Sequence, residues 1–278
     1  MSPFRGAATR IAALQMEIQP GNRDENLTVA ANLLNQAAAR NVDLACLPGT
    51  FATGLNLPTI KADATTAEGP VVHFLTEQAR AHSMHIVAGV LLREAREIYD
   101  AAVLVGPGGD VLGWHRRPSV WVGEADYISQ GSPSEVIATS VGRIGLQVSY
   151  DLRFPEASRH FVHDDVEILA CVANFFAPFS QPVPSICRAR AADSECVLVL
   201  ASSAGSNRFV GMRYLGRSMI VNGLVAVLCS EDKLAHWDWL KWLQEHASSS
   251  ARFPAAIPMR RCCLAPMPAR IPVPLKTR

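Results

Sequence analysis

The chain has 278 residues, and it is short of several things whose absence excludes whole classes of function. Its 26 Lys and Arg stand against 25 Asp and Glu, a net charge of +1, so it lacks the one-signed field that nucleic acids or acidic membranes require. The first sixteen residues carry scattered arginines and no apolar core of leader length. Nowhere does an apolar run approach the roughly 18–20 residues of a membrane span, so a cytoplasmic location is the expectation. Seven cysteines (Cys46, Cys171, Cys187, Cys196, Cys229, Cys262 and Cys263) show no Cys-x-x-Cys spacing, which fits reduced thiols, buried apart from an exposed tail pair, better than a disulfide framework. A metal cluster has one candidate, His160-Phe161-Val162-His163 followed by Asp164 and Asp165, but histidines three apart on a surface helix are usually solvated. No metal, cofactor, nucleic acid or membrane is expected, which leaves small molecules and other proteins as partners.

What is present is a large apolar fraction, 49%, in an alternating pattern. Ile11 to Gln15 reads as a strand, Asn26 to Arg40 as an amphipathic helix, and Val42 to Leu47 as a buried strand ending at Pro48. A helix over Val71 to Ala81 and a strand over His85 to Leu92 follow. Tyr99 to Val105 and Val111 to Arg116 then form a hairpin about Pro107-Gly108-Gly109-Asp110. The second half repeats the scheme: a strand at Ile144 to Val148, a helix opened by Pro155, a strand at Glu167 to Ala173, a helix at Ser185 to Asp193 and a strand at Cys196 to Ser202. A hairpin of Ser218 to Val221 against Leu224 to Leu228 turns at Asn222-Gly223. Glu231 to His246 reads as a helix that buries Leu234, Trp237, Leu240 and Leu243. Pro254 to Arg278, with six prolines, five basic residues and no acidic one, cannot bury enough apolar surface to offset its ordering entropy. The expectation is therefore one α/β domain over residues 1–250 and a loosely attached Pro/Arg-rich tail over 251–278.

The segment "GRIGLQVSYDLRFPEASR" carries a resemblance. It is similar to the nucleophile segment of the nitrilase, or carbon–nitrogen hydrolase, superfamily, whose usual form has a cysteine where Ser149 stands. Further matches run in order from about residue 10 to 230: "IAALQMEIQPGNRDENL", "VDLACLPGTFATG", "VAGVLL", "VLGWHRRPSVWVGEADYISQG", "VANFFAP", "RARAADSECVLVLASSAG" and "GRSMIVNGLVAVL". The resemblance implies an αββα four-layer sandwich, and the wording around "YDLRFPEASR" resembles the ω-amidase-like branch, which hydrolyses terminal amides of small 2-oxo acids. It also implies a Glu as general base, a Lys that stabilises the tetrahedral intermediate and a Cys that becomes an acyl-thioester.

Each of those positions is located by its flanks, and each differs here. Gly49 occupies the base position in Leu47-Pro48-Gly49-Thr50-Phe51, and glycine accepts no proton. Arg117 occupies the lysine position in His115-Arg116-Arg117-Pro118-Ser119. It keeps the charge, but in a bulkier planar group that never gives up a proton. Ser149 occupies the nucleophile position, where an alcohol needs a placed base that a thiol needs far less. Glu124, Tyr150, Asp151 and Arg153 match supporting positions, with Asn174 of "VANFFAP" at the pocket, and Asp151 and Arg153 are candidates to pair and hold the turn.

Two functions follow as rivals. One is a non-catalytic pseudoamidase that binds a small amide or carboxylate, or pairs as a homodimer or with an active homologous subunit. It would have a pocket enlarged at Gly49 and made attractive to carboxylates by Arg117. The other is a repurposed hydrolase of small amides or esters with Ser149 as nucleophile, helped by Glu124 or water. In a variant of the second, Cys171 or Cys187 replaces the missing cysteine, although both read better as core residues.

Overall fold

The computed structural model describes residues 9–177, 182–223, 227–230 and 262–266. Two six-stranded sheets stack face to face. The first takes β1 (Arg10–Leu14), β2 (Leu44–Cys46), β3 (His85–Glu94), β4 (Glu97–Val105) and β5 (Val111–Arg116). The second takes β6 (Ile137–Thr139), β7 (Gly142–Val148), β8 (Ile168–Ala173), β9 (Val197–Ser202), β12 (Met219–Val221) and β13 (Val227–Ser230), with a separate two-residue ribbon of β10 (Ser206–Asn207) and β11 (Met212–Arg213). A strand from the far C-terminus, β14 (Cys262–Pro266), closes the edge of the first sheet. β1, β2 and β3 run parallel, as do β7, β8 and β9, and antiparallel strands flank each trio.

Strands covered on both faces need apolar residues at every position, and that is why these segments read as continuous apolar runs. Their two-residue period sends alternate side chains to opposite faces. Ile11, Ala13, Leu44, Cys46, Val87 and Leu104 of the first sheet share one core with Ile144, Leu146, Val148, Val172 and Val199 of the second. The opposite face of the first sheet, through Ala12, Leu14, Ala45 and Ile86, packs against Ala30, Leu34 and Ala37 of α1 (Arg23–Ala38). Val71, Leu75 and Ala79 of α3 (Pro70–His82) join that core, while the short α2 (Ile60–Asp63) sits to one side with Ile60 in a smaller cluster. The outer face of the second sheet is covered by α5 (Val183–Asp193) through Val183, Cys187 and Ala191, with α4 (Pro155–Arg159) at its end. The layers are thus αββα, as the resemblance implies.

Two expectations change. β3 and β4 are one long hairpin, turning tightly at Ala95 and Arg96, with Ala95 at φ +52° where a glycine would mark the turn openly. Of the return strand expected after Asn222-Gly223, Val227–Ser230 pairs with β12, and residues 224–226 lie outside the described residues. The tail is not wholly loose: Cys262–Pro266 pairs antiparallel with β1 from Arg10↔Pro266 to Leu14↔Cys262. The unmet backbone donors and acceptors along the outer edge of β1 recruit this segment, an attraction that side-chain composition does not register. The expected helix from 231 to 246 and the rest of the tail lie outside the described residues. No described helix is long and apolar enough to cross a membrane.

Candidate active site

The residues singled out from sequence gather where strands end, the usual place for a site in sheets of parallel strands. Arg117, Ser149, Asn174 and Ser203 each follow directly on the last residue of β5, β7, β8 and β9, and Gly49 lies just beyond β2. Gly89 of β3 permits this approach, because a Cβ there would stand 2.4 Å from the Cα of Gly49. The backbone of residues 48–51 is hydrogen-bonded onto β3 at the same point, Gly89 N to Pro48 O (3.1 Å) and Phe51 N to Gly89 O (3.2 Å).

Ser149 sits on a sharp turn with φ +42°, a strained conformation for a side chain with a Cβ, and is 8% exposed. Its hydroxyl oxygen accepts a hydrogen bond from Asn174 N at 3.0 Å. Asn174 Nδ2 in turn donates to Thr50 Oγ1 (2.6 Å), and its Oδ1 accepts from Ser203 Oγ (2.6 Å). Asn174 therefore bridges the Gly49 loop to the Ser149 turn. No carboxylate or imidazole is hydrogen-bonded to Ser149 among the described residues.

The pocket is not enlarged at Gly49, contrary to the sequence expectation. A Cβ on Gly49 would lie 2.9 Å from both the carbonyl carbon of Ala173 and Nδ2 of Asn174, so the space a larger residue would need is already filled. Gly49→Ala should accordingly destabilise the chain by about 1–3 kcal/mol, the usual cost of overpacking. In a chain of this size that is a fall in Tm of about 2–10 °C, readable by calorimetry.

Nor does Arg117 offer its charge to a ligand. It is 2% exposed: Nη2 donates to Glu124 Oε2 at 2.5 Å, and Nε lies 3.1 Å from Asp100 Oδ2. That second contact is electrostatic, since the N–H points off the oxygen and Nε has no hydrogen-bond partner among the described residues. Both carboxylates lie on the protein side, so the guanidinium is neutralised internally.

Asp151 is fully buried and held from three directions. His115 Nε2 lies 2.9 Å from Oδ2, while the backbone amides of Ser119 and Val148 donate to Oδ1 (3.2 Å) and Oδ2 (3.3 Å). These bonds tie the Arg117 loop to the Ser149 turn. Arg153, expected to pair with Asp151, enters through its backbone carbonyl, which accepts from Arg190 Nη2 at 3.2 Å, and Arg190 Nε also binds the carbonyl of Leu152 (3.1 Å). Tyr150 packs edge-on against Phe154, with ring centroids 5.2 Å apart. Both line a cleft of about 1040 Å³ beside the site, together with Lys61, Arg96, Tyr99, Ser119 and Tyr127. Gly49, Arg117 and Ser149 do not line it.

Cys171 and Cys187 are not placed to act as nucleophiles. Burial pushes the Cys187 thiol up to about 12 and Cys171 well above its ordinary value, so neither is available as a thiolate. The residues that sequence reasoning passed over are Asp100, His115, Arg190 and Ser203. Asp100 had a legible signal, a lone charge inside the apolar run of β4. His115 had none beyond its place beside Arg116.

Comparison with known proteins agrees with this fold. A family model described as carbon-nitrogen hydrolase matches residues 10–235. The chain is 28% identical to a nitrilase of Pyrococcus abyssi over 224 residues, 79% of this chain and 83% of that one. It is 25% identical to the 2-oxoglutaramate amidase of Bacillus subtilis over 215 residues, 76% and 82% of the two chains. Among solved structures, an amidase from Nesterenkonia sp. AN1 shares the fold with a TM-score of 0.78 at 20% identity, covering 95% of this chain and 92% of that one.

Proposed function

The chain belongs to the carbon–nitrogen hydrolase family, and we propose that within it this protein is a pseudoamidase, which keeps the frame of an ω-amidase-like site and binds a small carboxylate or amide without hydrolysing it. The observation that carries this reading is the closure at Gly49. The position that would supply the base has no side chain, and Asn174 and Ala173 leave no room for one. Ser149 then faces a backbone amide where a proton acceptor is needed. Arg117 and its two carboxylates form a buried structural unit in place of a cation poised at an oxyanion.

Binding is assigned to the neighbouring cleft. Its volume suits a small ligand, and its walls combine the rings of Tyr99, Tyr127 and Phe154 with Lys61 and Arg96, neither of which pairs with a carboxylate among the described residues. Assays on amides of small 2-oxo acids should give no turnover above background. Titration calorimetry with the free 2-oxo acids should give saturable binding, weakened about tenfold in Lys61→Ala or Arg96→Ala through loss of a charged hydrogen bond. Amide or ester turnover by the unmodified chain that disappears in Ser149→Ala would overturn this reading in favour of a serine hydrolase acting at Ser149.

A further inference from the structure

A second serine in this region has what Ser149 lacks. His115 Nδ1 lies 3.1 Å from Ser134 Oγ, and His115 Nε2 lies 2.9 Å from Asp151 Oδ2. The histidine is 3% exposed and the aspartate fully buried, whereas Ser134, in the segment leading into β6, is only half-buried and is the end of the chain of contacts that solvent reaches.

The proton positions follow from the surroundings of Asp151. Its two oxygens accept the backbone N–H groups of Ser119 and Val148, which marks it as an acceptor, so the imidazole must donate from Nε2. The lone pair is thereby left on Nδ1. Two donors point at it, the hydroxyl of Ser134 at 3.1 Å and, less closely, the backbone N–H of Ser134 at 3.4 Å. We infer that Ser134, His115 and Asp151 form a serine–imidazole–carboxylate relay able to attack small activated esters, a second reactive centre separate from the family's nucleophile position. Relative to the usual serine hydrolase arrangement the two ring nitrogens have exchanged roles, but the requirements are the same: a nucleophile bonded to a base, and a base fixed in one tautomer by a buried acid.

The chemistry balances within these groups. Ser134 Oγ bonds to the ester carbonyl carbon while its proton passes to His115 Nδ1. The bond to the leaving alkoxide then breaks, and the alkoxide departs with that proton. Water, deprotonated by the same nitrogen, attacks the acyl-serine, releases the carboxylic acid and returns the proton to Ser134. Asp151 takes no part in these proton transfers and acts as a positioning residue. The segment that carries Ser134 begins in the wall of the cleft, at Ser129 and Gln130, and Gly131 N donates to Arg117 O at 3.0 Å.

The test is labelling of the full chain with a fluorophosphonate, followed by peptide mass spectrometry. The expected result is phosphonylation of Ser134, with label and p-nitrophenyl acetate turnover both lost in Ser134→Ala. In Ser134→Cys the new thiol should react with iodoacetamide at a pH below that of an ordinary thiol, because the imidazole removes its proton. This variant reads out the relay even if Ser134→Ala is unstable. No label on Ser134, or unchanged turnover in Ser134→Ala, would overturn the inference and leave the pseudoamidase reading intact. Label on Ser149, with turnover lost in Ser149→Ala, would overturn both.

Discussion

The variant Gly49→Glu/Arg117→Lys/Ser149→Cys should hydrolyse the amide of a small 2-oxo acid, while Ser149→Cys alone should stay at the background of the unmodified chain. The parts of a nucleophile–base unit fail together, and removing one costs about as much as removing all, on the order of 10⁴- to 10⁶-fold. On the pseudoamidase reading, a thiol at position 149 without an acceptor should gain almost nothing, and all three changes together should raise turnover by at least about 10⁴-fold. The gain comes with a structural cost. A glutamate at position 49 must displace the Asn174 amide from 2.9 Å, breaking its bonds to Thr50 and Ser203, and must push on the backbone of Ala173. The triple variant should therefore melt several degrees below the unmodified chain even as it gains activity. Amide turnover by Ser149→Cys alone would mean that a base is still within reach of position 149. A folded but inert triple variant would mean that something other than these three positions separates this chain from working amidases.

Most of the fold was legible because its information is local. Continuous apolar runs gave the buried strands, Pro155 gave a helix start, and glycines gave the turn between β4 and β5. What stayed hidden depends on backbone or on distant residues. The turn at Ala95 forms without a glycine because β3 and β4 pair from Ile86↔Val105 to Glu94↔Glu97, and this long ladder outweighs a local strain of about 1–2 kcal/mol. The pairing of Cys262–Pro266 with β1 joins residues about 250 apart and rests on backbone groups common to every sequence. The site was half legible for the same reason. Flanking residues located Gly49, Arg117 and Ser149 along the chain, but only the fold brings Asp100 to Arg117, Ser134 to His115, and the Asn174 side chain into the space before Gly49.

Asp100 should make the stability of this protein fall as pH rises towards neutrality, the reverse of an ordinary paired carboxylate. The side chain is 1% exposed, and one of its oxygens, Oδ1, has no hydrogen-bond partner among the described residues. Burial raises its pKa from an ordinary 3.8 to about 7; Arg117 opposes that rise, while Glu124 and Asp151 add to it. Between these two values the unfolded chain has released the proton and the folded chain still holds it, so folding takes up one proton. Each unit of rising pH then lowers stability by about 1.4 kcal/mol, or about 4 kcal/mol over the window, and above about 7 the effect is complete and level. Urea denaturation of the unmodified chain and of Asp100→Asn should therefore diverge across this range, the unmodified chain losing about 4 kcal/mol relative to the variant between pH 4 and pH 7. The same ionisation sets what Arg117 contributes. At pH 8 the guanidinium faces two carboxylates, and Arg117→Met, which strands them in the interior, should cost about 3–5 kcal/mol. At pH 5 Asp100 carries its proton and needs no partner, so the same substitution should cost less. Equal costs at both pH values would mean that Arg117 keeps Asp100 ionised throughout, and that the attraction between them outweighs the burial of the carboxyl group.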